Sequence, residues 1–182
     1  MKLIDYLNKE GFKIILFGTK KELNEIQNLK NKDIVFASDE NILKNLENYG
    51  CKKFIYFSSC KVYGESSMDN IIYSESSKLN PISDYAKAKA EAETVVSDFS
   101  IEKNIDFLIY RLPFVYGNGM KSNLNTLLKT INQSIPFILI KDKSSPKKSF
   151  LCIDNINKTI IYNIENLHSI DNSILNLSDN NS

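Results

Sequence analysis

Residues 83–93 read SDYAKAKAEAE, which sets Tyr85 and Lys89 four residues apart among small and charged side chains. A phenol with an ordinary pKa near ~10 is a poor base at neutral pH, but a cation within about 4–6 Å favours its ionised form. Residues i and i+4 are neighbours on one helical face, so Lys89 is the candidate cation for Tyr85. A serine hydroxyl facing the phenol would hold a substrate oxygen while the tyrosine takes or returns its proton. Ser59, in FIYFSSCKVYG, is the candidate for that third part. The trio reads as proton-transfer machinery for interconverting a carbinol and a carbonyl.

Spacing alone is a weak signal, because Tyr49 and Lys53 in NYGCKKF have it too. There Gly50 breaks the helix and Lys53 opens the apolar run FIYF, so the two side chains cannot share a helical face. The surrounding elements must decide. MKLIDYLNKEG has helix spacing and stops at Gly11; FKIILFG (12–18) is a short apolar run; KKELNEIQNLK is helical; DIVFAS (33–38) is apolar again. NILKNLENYG (41–50) predicts a helix and KKFIYFSS (52–59) a strand. A polar loop over 60–83 leads to a helix from about 84 to 103 and a strand near 105–112. NLNTLLKTINQS predicts a helix, IPFILI a strand, KDKSSPKK a solvated loop, SFLCI a short extended piece, DNINKTIIYNIENL a helix and SILNLS a last strand. Continuous apolar strands alternating with helices predict an α/β fold with a mostly parallel sheet covered on both faces. Ligands in such sheets bind beyond the carboxyl ends of the strands, which directs Ser58, Ser59, Tyr85 and Lys89 toward one crevice.

The bulk properties bound the rest. A chain of 182 residues suits one domain, taken as 1–182. With 23 basic and 22 acidic residues and a net charge of +1, no strong field draws it to nucleic acid or to a membrane surface. Cys51, Cys60 and Cys152 form no CxxC, and the lone His168 leaves little for a zinc site or a Ser-His or Cys-His pair, so no metal is expected. Neither a leader peptide nor an apolar run near the length of a membrane span is present, and the thiols suit a reducing compartment, so the expected location is the cytoplasm. Heavy use of Asn, Lys and Ile suggests an AT-rich bacterial source.

FIYFSSCKVYG, SDYAKAKAEAE and YRLPFVYGNG, in this order and at these intervals, resemble the extended short-chain dehydrogenase/reductase superfamily in its NAD-dependent, sugar-nucleotide epimerase/dehydratase branch. The resemblance covers most of residues 1–179 and implies a Rossmann-like doubly wound sheet. It implies Ser59, Tyr85 and Lys89 as the catalytic residues, with Tyr85, Lys89 and Pro113 also at the cofactor, Lys89 binding the nicotinamide ribose and Pro113 packing near the nicotinamide. It implies a reduced substrate-binding portion over about 113–182, in which Asn123 and Lys148 hold the nucleotide diphosphate alongside Ser59 at the sugar. Lysine in place of the more usual arginine at 148 keeps the charge but loses the bidentate fork, so phosphate affinity would be lower. The implied ligands are NAD or NADP and a nucleotide sugar, with a UDP-sugar expected and a homodimer as the candidate assembly.

The chain departs from the family at its start. No glycine-rich turn GxxGxxG is present to hold a cofactor pyrophosphate, and MKLIDYLNKEGFKIILFG reads as the helix and second strand that would follow such a turn. The expectation is therefore a fold without its usual first strand, which leaves an edge or gap where that strand is normally central; the alternative register takes FKIILFGTKKEL as the first strand and a decayed turn, whose one glycine makes a poor phosphate cradle. Thr19, Lys20 and Lys21 stand where an acidic residue would meet a ribose hydroxyl, which leans toward NADP. Two functions follow as expectations: a sugar-nucleotide epimerase, dehydratase or reductase, or a non-catalytic binding or oligomerisation module without a tight dinucleotide grip.

Overall fold

The apolar runs pair as parallel strands. The structure, a computed structural model, describes residues 6–7, 9–11, 14–17, 34–37, 52–64, 71–117, 130–133, 148–166 and 172–179. In the first compact unit, Met1–Lys52, β1 (Ile14–Phe17) pairs in parallel with β2 (Ile34–Ala37), Ile14 opposite Ile34. Gly11, at φ +77°, follows the helical residues 6, 7 and 9, where a glycine ends a helix at no steric cost.

The second unit, Lys53–Ser182, begins with β3 (Lys53–Ser59) and a 3-10 turn over Cys60–Tyr63. Helix α1 (Asp84–Lys103), β4 (Asp106–Leu112), β5 (Phe114–Tyr116), β6 (Phe150–Cys152), α2 (Ile153–Glu165) and β7 (Ser173–Asn176) follow. The order β3-β4-β7 forms one parallel sheet, with Ser58 opposite Arg111 and Arg111 opposite Asn176. A second ladder pairs β5 with β6, also in parallel. Among the described residues β3 lies at one end of the order β3-β4-β7.

Local chemistry fixes the ends of α1. The Ser83 side chain accepts from the Ala86 N–H at 3.3 Å, and Asp84 lies in the first turn, where a negative charge is favourable. At the other end Asn104 takes the left-handed conformation, φ 54°, and its N–H reaches the Ser100 and Ile101 carbonyls. Ala86, Glu93, Val96 and Ser100 form the buried stripe. Val96 packs with Phe107 and Ile109 of β4, and Phe54, Tyr56 and Ile174 close around them. On the other face of β4, Tyr110 is fully buried and its hydroxyl meets Asn163 of α2. Burial on both faces explains why β4 reads as a continuous apolar run rather than an alternating one.

Two local features differ from the sequence reading. The loop over 60–83 contains the 3-10 turn, nucleated by Ser59, whose side chain accepts from the Lys61 N–H at 3.3 Å. Residues 114–116 form β5, a strand too short to carry its own pattern, whose partner lies far along the chain. The helices expected at 20–30 and 41–50 and the strand expected at 135–140 lie outside the described residues. No described helix is long and apolar enough to cross a membrane.

Candidate active site

Ser59 ends β3, and α1 carries Tyr85 in its first turn with Lys89 one turn further on. The strand alternates sides, so Tyr56 and Ser58 share a face while Ser59 begins the turn. Lys89 reaches β3 directly: its ammonium donates to the Phe57 carbonyl at 2.8 Å and lies 4.8 Å from the centroid of the Tyr56 ring. The Tyr85 ring centroid is 5.9 Å away. Burial lowers the pKa of the Lys89 ammonium. It also pushes the Tyr56 phenol up to about 12, with Glu93 and Tyr85 adding to the effect. Tyr56 therefore remains a neutral ring under Lys89 and does not serve as a base at neutral pH. Tyr85 is more than half exposed.

Ser59 is only partly buried. Its oxygen accepts one hydrogen bond from Lys61, which leaves the hydroxyl proton to be donated elsewhere. The capping bond and a substrate contact are therefore compatible. Ser58, in contrast, does not join the crevice: it is 4% exposed and donates to Glu93. Pro113 occupies the step between β4 and β5. Lys148 is exposed just ahead of β6, and among the described residues no contact ties it to Ser59, Tyr85 or Lys89. Asn123, with Thr19, Lys20 and Lys21, lies outside the described residues.

A buried polar network beside the trio was not anticipated. Glu93 and Arg111 are each 3% exposed. The Arg111 guanidinium holds the Glu93 carboxylate through Nε at 3.0 and 3.2 Å and through Nη2 at 2.6 Å. Arg111 Nη1 donates to the Tyr63 hydroxyl at 2.8 Å and to the Glu75 carbonyl at 3.3 Å, and its guanidinium lies 4.9 Å from the Tyr63 ring centroid. Tyr63 donates onward to Asn176 at 2.8 Å and stacks on Tyr73. One signal was available: an arginine inside the apolar run IDFLIYRL must find a charged partner if that strand is buried.

The two VYG segments, Val62-Tyr63-Gly64 and Val115-Tyr116-Gly117, are used alike. Tyr63 donates to Asn176, the last residue of β7, and Tyr116 donates to the Asp179 carboxylate at 2.9 Å just after it, so the two hydroxyls grip the end of β7 and the segment that follows. Asp179 also accepts from the Cys152 N–H at 3.0 Å and from Asn155 at 2.7 Å, which supplies the start of α2 with the carboxylate that Cys152 cannot. The Asn155 bond, then those from Tyr116 and Cys152, hold the Asp179 carboxyl below its usual range. Among the described residues no three His, Cys, Asp or Glu side chains cluster in a way that could hold a metal ion.

Known proteins are similar to this chain in sequence and in fold. The chain is 28% identical over 130 residues to the UDP-glucose 4-epimerase of Vibrio cholerae, an alignment covering 71% of this chain and 39% of that protein. The chain thus spans about two fifths of that relative's length. The crystal structure of dTDP-glucose 4,6-dehydratase from Bacillus anthracis, in complex with NAD, superposes with a TM-score of 0.70 at 18% identity over 98% of this chain and 71% of that one. UDP-glucuronic acid 4-epimerase from Bacillus cereus, in complex with UDP-glucuronic acid and NAD, superposes with a TM-score of 0.70 at 20% identity, over 97% and 73% of the two chains. At these identities the superpositions establish the Rossmann-like α/β fold. The family model for NAD dependent epimerases and dehydratases matches residues 3–178, nearly the whole sequence, and the chain belongs to that family.

Proposed function

We propose that this chain carries the catalytic centre of a nucleotide-sugar epimerase or dehydratase that oxidises and reduces one sugar carbon, with a UDP-sugar as substrate class. The observation that carries the reading is Lys89, anchored on the Phe57 carbonyl one helical turn from Tyr85 and next to the strand end that bears Ser59. Ser59 donates its free hydroxyl proton to the sugar oxygen and fixes its position. Tyr85 takes the proton of the sugar hydroxyl as the carbonyl forms and returns it when the carbinol is restored.

The residues fit the nicotinamide-ribose end of NAD or NADP. Lys89 has three N–H donors and commits one to the Phe57 carbonyl, so further donors remain for ribose hydroxyls. Pro113, at the step from β4 to β5, would wall the nicotinamide. When bound, the dinucleotide supplies the acceptor and donor of the hydride. In the substrate portion, residues 113–182, Lys148 and Asn123 are the candidates for the diphosphate.

A second reading has its own observation: the six glycines of the chain nowhere form GxxGxxG, the turn whose amides hold a pyrophosphate. In that reading the chain binds a nucleotide sugar but grips no dinucleotide. Calorimetry with NAD, NADP and UDP-glucose separates the two, together with turnover of UDP-glucose and UDP-galactose in the presence of added cofactor. The first reading expects turnover that Tyr85→Phe abolishes; unchanged activity in that variant would remove Tyr85 from the chemistry. UDP-sugar binding without NAD(P) binding selects the second reading, and tight NAD(P) binding without UDP-sugar binding contradicts both.

A further inference from the structure

Tyr85, Lys89 and Glu93 recur every four residues along α1, so they form one stripe of the helix. The first two face the candidate site, and the third is buried beneath it. Glu93 meets two strands at once. Ser58 of β3 and Arg111 of β4 are register partners in the parallel ladder, and both bind its carboxylate, the arginine in a bidentate fork. Ser58 is the residue before Ser59. Arg111 also holds the Tyr63 hydroxyl in the turn that follows Ser59 and the Glu75 carbonyl in the segment that leads to α1. One cluster is thus tied to the helix that bears Tyr85 and Lys89, to the strand end that bears Ser59, and to the chain on either side.

We propose that Glu93, Arg111 and Ser58 are positioning residues that set the rotation of α1 on the sheet, and so the register of Tyr85 and Lys89 with Ser59. A helix with its side chains has an outer radius of about 5–6 Å, so a rotation of only about 10° moves an atom at that radius by about 1 Å. A misplacement of that size can cost on the order of a hundredfold in rate. Generic helix packing leaves that much freedom: Val96 supplies an apolar contact that is not directional, whereas a forked ion pair joined by a serine admits few orientations.

The inference rests on the proposed sugar-nucleotide chemistry, and its test has an arm that does not. In Glu93→Leu/Arg111→Met the charged pair is replaced by apolar groups of similar size, a change that buried ion pairs often tolerate without loss of stability. The full chain, with added NAD(P) and UDP-sugar, is expected to melt near wild type but to lose at least about tenfold in kcat, with KM within about twofold. A folded double variant with wild-type kcat overturns the proposal. If the double variant does not fold, Ser58→Ala decides, with a severalfold fall in kcat at unchanged KM expected and an unchanged kcat overturning it. If the wild-type chain turns over nothing, the functional reading fails by itself. The positioning role is then read by NMR, from nuclear Overhauser contacts between the Lys89 side chain and the Tyr56 ring. Their loss in whichever variant folds supports the role, and their persistence there overturns it.

Discussion

Arg111→Met alone should be far more damaging than the Glu93→Leu/Arg111→Met double replacement. The single change leaves the Glu93 carboxylate 3% exposed, with the Ser58 hydroxyl as its remaining partner in the cluster. It also strips the Tyr63 hydroxyl and the Glu75 carbonyl of their donor. Removing one partner of a buried pair costs about 3–5 kcal/mol, because the surviving charge is uncompensated. Total stabilities are about 5–15 kcal/mol, so the loss is a large share of the whole. At roughly 2–4 °C per kcal/mol for a chain of this size, Tm should fall by roughly 6–20 °C. The double variant removes both charges and should recover most of that loss. Thermal melts followed by circular dichroism, with urea titrations of wild type, single and double variants at pH 7.5, measure all three. A single variant melting within about 2 °C of wild type, or a double variant less stable than the single, would refute the reasoning.

Gly117 has φ +141°, and a Cβ built on it would clash with Ile153 Cγ2. Gly117→Ala should therefore cost about 2–4 kcal/mol from backbone strain and overpacking against the start of α2, a loss that urea titration would measure. Burial pushes the Cys60 thiol from its ordinary 9.0 up to about 11, with Glu75 and Glu93 adding to the rise and Arg111 opposing it. At pH 8 its thiolate is about a hundredfold scarcer than in an unfolded chain, so iodoacetamide labelling, read by peptide mass mapping, should be correspondingly slow. The sign for stability follows: the neutral thiol's contribution is complete below pH 9 and fades as pH rises through about 11, which Cys60→Ala should abolish. Ser59→Ala should lower kcat by about a hundredfold while leaving the fold intact, as the 3-10 turn loses only a partly exposed capping bond. A kcat within about twofold of wild type would remove Ser59 from the chemistry.

The elements with the strongest local signals were legible in the sequence. The helix expected at about 84–103 is Asp84–Lys103, because Ser83 and Asn104 cap it through their own local chemistry. The run at 105–112 is the strand Asp106–Leu112, since burial on both faces leaves a continuous apolar pattern. Short pieces were less legible: β5 exists only because β6 pairs with it, and a pairing across so many intervening residues leaves no periodic trace in either. Of the candidate site residues, the structure brings Lys89 near Tyr85 at the strand that ends in Ser59. It does not join Lys148 to them, and Asn123 lies outside the described residues.

The sequence by itself determined the longer described elements, such as α1 and β4, and the Tyr85–Lys89 stripe, because capping, periodicity and i,i+4 geometry are local. Only the tertiary structure decided what holds that stripe in place. Glu93 lies in a run of alanines, lysines and glutamates and reads as one more solvated charge. Its burial depends on Arg111 and Ser58, which become neighbours only when β3 and β4 pair. Likewise Tyr56 looked like one apolar residue in a strand until Lys89 came down on its ring. A residue's pattern in sequence reports the face it lies on, whereas its partners across a parallel sheet are set by long-range register.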